Sequence, residues 1–265
     1  MCIPDRLDSG VIKAGFSGKL IGGEIVICDV IPSSNDAAWE HCERGCESGV
    51  CVFAEQQTAG RGRMGSKWTS GRGESILCSI ILIDWRPGAE LLTLSCAVAS
   101  AEAIRKCCGL EARIKWPNDI MVSDKKVGGI LIESRKRNGR IDYVAGIGIN
   151  CHQGEDFFTK TELAVAGTSL DIETGKMVDR NKLAAALLGS IDECLDIVGK
   201  DSGAVVERWG QLSCLLGRHV VLEYDNKRFS GNCTGVDPER GLILHLDKGG
   251  VRMFDASHTR IVKQI

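Results

Sequence analysis

Residues 113–134 read RIKWPNDIMVSDKKVGGILIES, two apolar runs with charged residues and glycines at their ends. Branched and apolar runs bounded by turn residues predict two strands here, Arg113–Val122 and Val127–Ser134. A third run, Tyr143–Asn150, follows Gly139, a glycine that suits the turn of a hairpin. The stretch therefore predicts consecutive strands of one sheet, including an antiparallel pair.

Patterns on both sides of this stretch extend the sheet and add helices. The earlier apolar runs predict strands at Glu24–Val30, Val50–Glu55 and Ser75–Ile83. Helical spacing of apolar residues, with candidate N-caps before two of the segments, predicts helices over Asp36 to about Cys46, over Glu90–Cys108, and after Asp179 through Leu183–Leu195. We therefore expect a mixed α/β fold, with a mixed sheet flanked by helices.

The pattern changes after about Leu216. From Arg218 onward short alternating runs are separated by turn signals about every ten residues, which is typical of a small β-barrel. The sequence thus predicts two domains, a large α/β domain over residues 1–215 and a small β-barrel over residues 216–265.

Composition and charge exclude several classes of protein. The chain has 265 residues with 33 Lys+Arg against 35 Asp+Glu, so a net charge of −2 gives no overall attraction to nucleic acid or anionic membranes. The longest stretch without a charged residue, Tyr143–Gly154, is too short to span a bilayer, and the N-terminus has no signal-peptide pattern. These features favour a cytoplasmic protein with no membrane partner.

The thirteen cysteines favour the same compartment, because an odd number within apolar segments is typical of reduced core thiols. Cys42, Cys46 and Cys51 are close in sequence, but they lack a second ligand pair at zinc spacing. We therefore predict core thiols and no metal ligands among the protein side chains.

A glycine-rich loop, Gly60-Arg61-Gly62-Arg63-Met64-Gly65, is the first candidate functional segment. It has the glycine spacing of a dinucleotide-binding fingerprint, but a loop and a strand follow it where that fold requires a helix. It also departs from the P-loop pattern, because Ser66 precedes Lys67. Two arginines on a flexible backbone can instead fold over an anionic ligand. The alternative is a solvated surface loop.

Further motifs surround this loop in a fixed order. They are Ser33-Ser34-Asn35, Ala54-Glu55-Gln56-Gln57, KWPND from Lys115, KKVGGILIE from Lys125, and Gly146-Ile147-Gly148-Ile149-Asn150. Over residues 24–150 these motifs resemble those of the biotin–protein ligases, and the β module is similar to that family's small C-terminal barrel. The resemblance implies a class II synthetase-like catalytic domain and an SH3-like barrel.

The resemblance also implies an activity. Family members join biotin to ATP, with Mg²⁺, to form biotinyl-5′-AMP and pyrophosphate. They then transfer biotin to one lysine of a biotin carboxyl carrier protein or domain. The first step brings a carboxylate against a phosphate, so positioning and cationic screening should dominate catalysis. Some members have an N-terminal DNA-binding domain and act as repressors; 32 residues precede Ser33 here, so we expect the form without that domain and no DNA partner.

Site residues follow from the motifs by resemblance. The catalytic charges would be Lys126, Arg61 and Arg63. The biotin site would comprise Ser33, Ser34, Asn35, Gln57, Arg61, Gly62, Arg63 and Lys126, and the ATP site Trp68, Asn118, Asp119 and Asn150. Taken singly, these residues have simpler interpretations: an N-cap for the serines, a core aromatic for Trp68, a turn for Asn118-Asp119 and a solvated charge for Lys126.

Two rival functions stay open at this stage. A lipoate or octanoate ligase would share the fold, and the paired-arginine loop argues against it. A module that only binds biotin or its adenylate is the second rival, and Lys126 together with Asn118-Asp119 favours catalysis. A monomer and a homodimer are equally compatible with the sequence.

Overall fold

The computed structural model describes residues 5–137, 139–160 and 166–264, and its larger sheet has seven strands in the order β1-β2-β3-β7-β6-β5-β4. The first two strands pair in parallel and the others antiparallel, which confirms the predicted mixed sheet. Its strands are β1 (Ile25–Ile31), β2 (Cys51–Gln57), β3 (Ser75–Leu82), β4 (Arg113–Lys115), β5 (Asp119–Val122), β6 (Lys125–Arg137) and β7 (Arg140–Asn150).

Helices cover both faces of this sheet. The described helices are α1 (Ser9–Ala14), α2 (Ser34–Glu43), α3 (Ala89–Cys108), α4 (Glu155–Lys160), α5 (Leu170–Thr174), α6 (Arg180–Val198) and α7 (Ser202–Leu212). On one face α2 packs its Trp39 against Val52 and Ile81, whereas the adjacent residues Phe53 and Ile80 point into the core on the other face. Successive residues of a strand face opposite sides of the sheet. A strand whose two faces are both covered by helices is therefore apolar along its whole length.

The prediction of one strand over Arg113–Val122 was wrong. The chain forms a hairpin in which Lys115 pairs with Asp119, and Trp116, Pro117 and Asn118 make the turn. Proline has no N–H to donate to a sheet ladder, which accounts for the break. The hairpin brings Asn118 and Asp119 to the end of the sheet.

The predicted hairpin between β6 and β7 is confirmed and is longer than expected. The pairing runs from Gly128 opposite Ile149 to Arg137 opposite Arg140, with Gly139 at a φ of +81°. Glycine reaches this left-handed conformation without strain.

The C-terminal segment forms a second, antiparallel sheet of five strands, consistent with the expected SH3-like barrel. Its strands are β8 (His219–Tyr224), β9 (Lys227–Asp237), β10 (Gly241–Leu246), β11 (Val251–Phe254) and β12 (Thr259–Gln264). Buried residues such as Val220 and Leu244 belong to the same apolar core as α3 and the large sheet. Across the parts of the chain that are described, none of the helices combines the length and apolar character needed to cross a bilayer.

Candidate active site

A cavity of about 210 Å³ opens between the start of α2, the glycine-rich loop and the ends of β6 and β7. Every site residue predicted from the sequence lines it except Asn150. The lining residues are Ser33, Ser34, Asn35, Gln57, Arg61, Gly62, Arg63, Ser66, Lys67, Trp68, Leu77, Asn118, Asp119, Lys126, Gly129, Ile130, Leu131, Gly146, Ile147 and Gly148. The cavity therefore brings together motifs that are far apart in sequence.

The first turn of α2 makes the polar end of the cavity. Ser33 occupies the N-cap position, but its side chain makes no capping hydrogen bond. The Oε1 atom of Gln57, at the end of β2, accepts a hydrogen bond from the backbone N–H of Ser34 (2.7 Å) and lies 3.0 Å from the Ser34 hydroxyl oxygen. The N-cap interpretation thus gives the position of Ser33 in the helix but no role for its side chain.

Behind this end lies Ser79 of β3, a residue that the sequence analysis did not identify. Its Oγ atom is 2.6 Å from Oδ1 of Asn35 and 2.7 Å from Oγ of Ser34. The Nδ2 atom of Asn35 is buried and has no protein partner. The amide packs so closely on Gly146 that a Cβ there would overlap Oδ1. A polar residue inside the apolar run SILCSIIL was the one available signal.

The glycine-rich loop is tethered at Arg61. Its guanidinium forms two hydrogen bonds with the Asp36 carboxylate (2.8 and 2.6 Å) and one with Glu133 (3.2 Å). Hydrogen bonding to Asp36 raises the pKa of Arg61, and the same pairing lowers the pKa of Asp36. Arg61 is therefore held at the rim of the cavity by two carboxylates.

The second arginine points to the barrel. Arg63 donates to Oδ1 of Asn118 (3.1 Å) and to the backbone carbonyl of Ala256. The N–H of the same residue, Ala256, donates to Oε1 of Glu90 in the first turn of α3 (2.9 Å). Burial lowers the pKa of Arg63 and raises that of Glu90. No sequence signal pointed to Glu90 or Ala256.

Trp68 and Lys126 form the opposite wall of the cavity. The indole of Trp68 lies against the backbone of Gly148, where a Cβ would come within 2.6 Å of the ring. Lys126 forms an ion pair with Asp119, and its Nζ is 6.0 Å from the centre of the Trp68 ring. Trp68 is thus a wall of the cavity, and Lys126 is half-buried and paired.

Asn150 lies outside the cavity lining. It ends β7, and its side chain donates to the carbonyl of Thr168 (3.0 Å). The backbone around Thr168 pairs in turn with Lys126, through Lys126 N–H to Ala166 (2.8 Å) and Thr168 N–H to Lys126 (2.9 Å). Asn150 therefore supports the segment that flanks the cavity lysine.

The candidate metal cysteines lie apart from the cavity. Cys42 and Cys46 pack in the apolar cluster under α2, and Cys51 points into the core on the other side of the sheet. Burial raises the pKa of Cys42 and of Cys51 to about 12, so both are protonated thiols at neutral pH. Over residues 5–137, 139–160 and 166–264, no three His, Cys, Asp or Glu side chains are grouped to hold a metal.

Comparisons with known proteins identify the family of this chain. Residues 27–150 match the Biotin/lipoate A/B protein ligase family. Bifunctional ligase/repressor BirA of Bacillus spizizenii is 32% identical over 260 residues, covering 96% of this chain and 79% of that protein. Biotin--[acetyl-CoA-carboxylase] ligase of Paracoccus denitrificans is 31% identical over 211 residues, covering 76% of this chain and 85% of that protein.

Among solved structures, the biotin protein ligase from Aquifex aeolicus in complex with biotin and ATP is similar, with a TM-score of 0.78. The two chains are 24% identical, and the match covers 91% of this chain and 99% of that one. At 24% identity, the structural similarity is evidence for the fold alone.

Proposed function

Because this chain belongs to the biotin/lipoate A/B protein ligase family, we propose that it attaches biotin to a carrier protein in two steps, the first of which consumes ATP. In the first step a biotin carboxylate oxygen bonds to the α-phosphorus of ATP and pyrophosphate leaves. In the second a lysine amine of a biotin carboxyl carrier domain attacks the acyl carbon, and AMP leaves.

The polar end of the cavity suits the ring system of biotin. A ureido ring offers two N–H donors and a carbonyl acceptor, and Ser33, Ser34, Asn35 and Gln57 present both donors and acceptors there. The dithiolane ring of lipoate makes no such hydrogen bonds, and polar groups left without partners would weaken its binding. This hydrogen-bonding end is the single observation that carries the choice of biotin.

Cations at the other end suit the reacting groups. Lys126 and Arg63 line the cavity, and a carboxylate and a phosphate repel unless positive charge lies between them. Arg61 and Gly62 would close over the ligand, with a substrate anion competing with Asp36 for Arg61. These residues position and screen the reactants, and no covalent enzyme intermediate is needed.

ATP would occupy the side bounded by Trp68, Asn118 and Asp119, with adenine stacked on the indole. Asn150 would act indirectly, through the backbone segment that flanks Lys126. The chemistry of the lining fits Mg²⁺, which typically takes one or two carboxylates together with substrate phosphates, and Asp119 is the carboxylate that lines this cavity. The ion would supply neutralising charge on the phosphates.

The carrier protein is proposed from the resemblance and from the relatives' names, and DNA is not proposed as a partner because the net charge is −2. The test is biotin-dependent exchange of labelled pyrophosphate into ATP. Exchange with biotin supports the proposal. Exchange with lipoate instead would favour the rival ligase, and no exchange with either would favour a binding module.

A further inference from the structure

We propose that Ser79, which does not line the cavity, is a positioning residue that selects substrates with a carbonyl oxygen. It would do so by making the Asn35 amide present its NH₂ group to the ligand. This inference rests on the proposed function, and it concerns how the polar end of the biotin site is oriented.

The hydrogen-bond geometry gives the direction. The Oδ1 atom of Asn35 carries no proton, so the Ser79 hydroxyl donates to it across 2.6 Å. With its single proton used there, Ser79 accepts from the Ser34 hydroxyl, 2.7 Å away, and Oε1 of Gln57 keeps the backbone N–H of Ser34 as its donor. The reversed amide would place Nδ2 at 2.6 Å from Ser79, shorter than N–H···O bonds usually are, whereas O–H···O bonds reach this length.

The surroundings hold the amide in this orientation. Ser79 is fully buried and Asn35 is 4% exposed, so water cannot easily replace either bond. Gly146 leaves room for Oδ1 that any side chain would fill. Asn35 lines the cavity and its buried Nδ2 lacks a protein partner, so Nδ2 would be the atom that meets the substrate.

A free amide N–H at this place requires an acceptor from the ligand. The matching group is a neutral carbonyl oxygen such as that of a ureido ring. A ligand with a hydrogen-bond donor at the same point would place its N–H group against the N–H group of Asn35, and it would bind more weakly. Ser79 would thus act on specificity without touching the substrate.

The experiment compares biotin with 2-iminobiotin, in which a protonated imino nitrogen replaces the ureido oxygen near neutral pH. Calorimetry measures both dissociation constants for the parent, Ser79→Ala and Ser79→Cys, the last of which keeps the size and weakens the donor. The matched control is Ser100→Ala, which removes another fully buried hydroxyl, one bonded to the Cys96 carbonyl within α3. Pyrophosphate exchange supplies kcat and the KM for biotin and for ATP.

We expect Ser79→Ala to weaken biotin binding about tenfold, since one oriented hydrogen bond is lost. The preference over 2-iminobiotin should shrink, because the freed amide can turn its oxygen to the ligand. KM for biotin should rise with kcat and KM for ATP unchanged, and Ser100→Ala should match the parent. Equal weakening of both ligands, or the same effect in Ser100→Ala, would show a merely structural role and overturn the inference.

A failure of the proposed function would look different. In that case the parent itself would show neither biotin binding nor biotin-dependent exchange. If Ser79→Ala does not fold, Ser79→Cys takes its place, with the same loss of preference expected. An unchanged preference in the folded cysteine variant would also overturn the inference.

Discussion

Lys126 shows how one residue depends on its neighbours in this site. It begins the buried part of β6, forms an ion pair with Asp119 and faces the cavity beside Trp68. We expect Lys126→Ala to lower the rate of biotin-dependent pyrophosphate exchange by about 10²–10³, the usual cost of removing a charge aimed at a developing anion. The exchange assay with biotin and ATP measures it.

Lys125→Ala is the matched control for this prediction. Lys125 is the neighbouring residue on the same strand, but it is exposed and pairs with Glu173 at 3.5 Å. Its variant should keep the parent rate. Parent-like exchange by Lys126→Ala, or equal losses in the two variants, would contradict the role of Lys126.

Arg63 is expected to contribute more to retaining the adenylate than to forming it, since Lys126 remains to screen the reacting anions. In Arg63→Gly the hydrogen bonds to Asn118 and to the Ala256 carbonyl are lost, and a further glycine raises the entropy of the open loop. The variant should still make biotinyl-5′-AMP but release it much faster, since closed-state contacts govern dissociation rates. A stopped-flow chase measures release, and biotin on a lysine-rich bystander protein reports it.

The control for this variant is Arg72→Gly. Arg72 lies seven residues after the glycine-rich loop, and it pairs with Asp29 at the exposed edge of the sheet. This change should leave both release and labelling as in the parent. Acceptor-only labelling by Arg63→Gly, with unchanged release, would remove Arg63 from the closing loop.

The sequence allowed prediction of the cavity residues that belong to recognisable motifs. It did not allow prediction of residues whose role depends on tertiary packing. Ser34 and Gln57 stand in recognisable segments, and both line the cavity. Ser79 is one small residue in a buried run, and Glu90 meets Ala256 only because the barrel docks on α3. No local pattern encodes such a long-range meeting.

At the scale of elements, the glycine-rich loop is expected to respond to substrate. Arg61, paired with two carboxylates at the rim, and Arg63, bonded to the barrel, are its tethers here, and several glycines make further ordering costly. An anionic substrate adds a partner for both arginines, so tryptic cleavage after Arg61 or Arg63 should slow when biotin and ATP are present. Mass spectrometry of timed digests measures the rate.

Cleavage after Arg44 provides the reference in the same digest. Arg44 is exposed at the end of α2 and pairs only weakly with Glu40 at 3.4 Å. Its rate should be independent of substrate. Equal slowing at both places, or no slowing in the loop, would count against closure.

Element types were predictable where apolar periodicity was strong, as in α3 and α6. Asp179 caps α6 as expected, accepting from the N–H of Lys182 at 3.0 Å. The error at Arg113–Val122 arose because two short strands of similar composition read as one, although Pro117 marked the turn. Helix α7 was not predicted.

At the scale of the whole molecule, a buried charge cluster fastens the N-terminal segment to the sheet. Arg180 is fully buried and pairs with Asp5 (2.8 Å) and with Glu55 of β2 (2.9 Å). His152 joins the cluster through Asp171 (2.8 Å) and Asp5 (3.3 Å). Opening this cluster would leave a buried guanidinium without a partner, which is strongly destabilising.

This cluster predicts a pH dependence of stability. Burial opposes protonation of His152, yet the hydrogen bonds to Asp5 and Asp171 raise its pKa above the usual value. The stabilisation is therefore complete below about pH 6.5 and is lost as pH rises through the raised pKa. Urea unfolding across this range should show a decline in the free energy of unfolding that is smaller in His152→Gln.

His245→Gln serves as the comparison, since His245 is exposed on the barrel strand β10. It should retain the decline seen in the parent. If the free energy of unfolding declined as much in His152→Gln as in the parent, the pH dependence would belong to groups other than His152.

We also propose that the chain divides into domains at residues 215 and 216, as the change of pattern suggests. The apolar core nevertheless runs from α3 into the barrel, where Leu215 and Val220 are buried with it. A shared core of this kind favours a single cooperative unfolding transition over two separate ones.

The backbone of Ala256 gives the barrel an energetic link to the cavity. Its carbonyl accepts from Arg63, and its N–H donates to Glu90, so the backbone of one residue joins the loop, the barrel and α3. Coupling between two equilibria is reciprocal. If substrate binding stabilises the present position of Arg63, it must also stabilise the docked barrel by the same free energy. Conversely, a change that loosens the barrel must weaken substrate binding by the same factor.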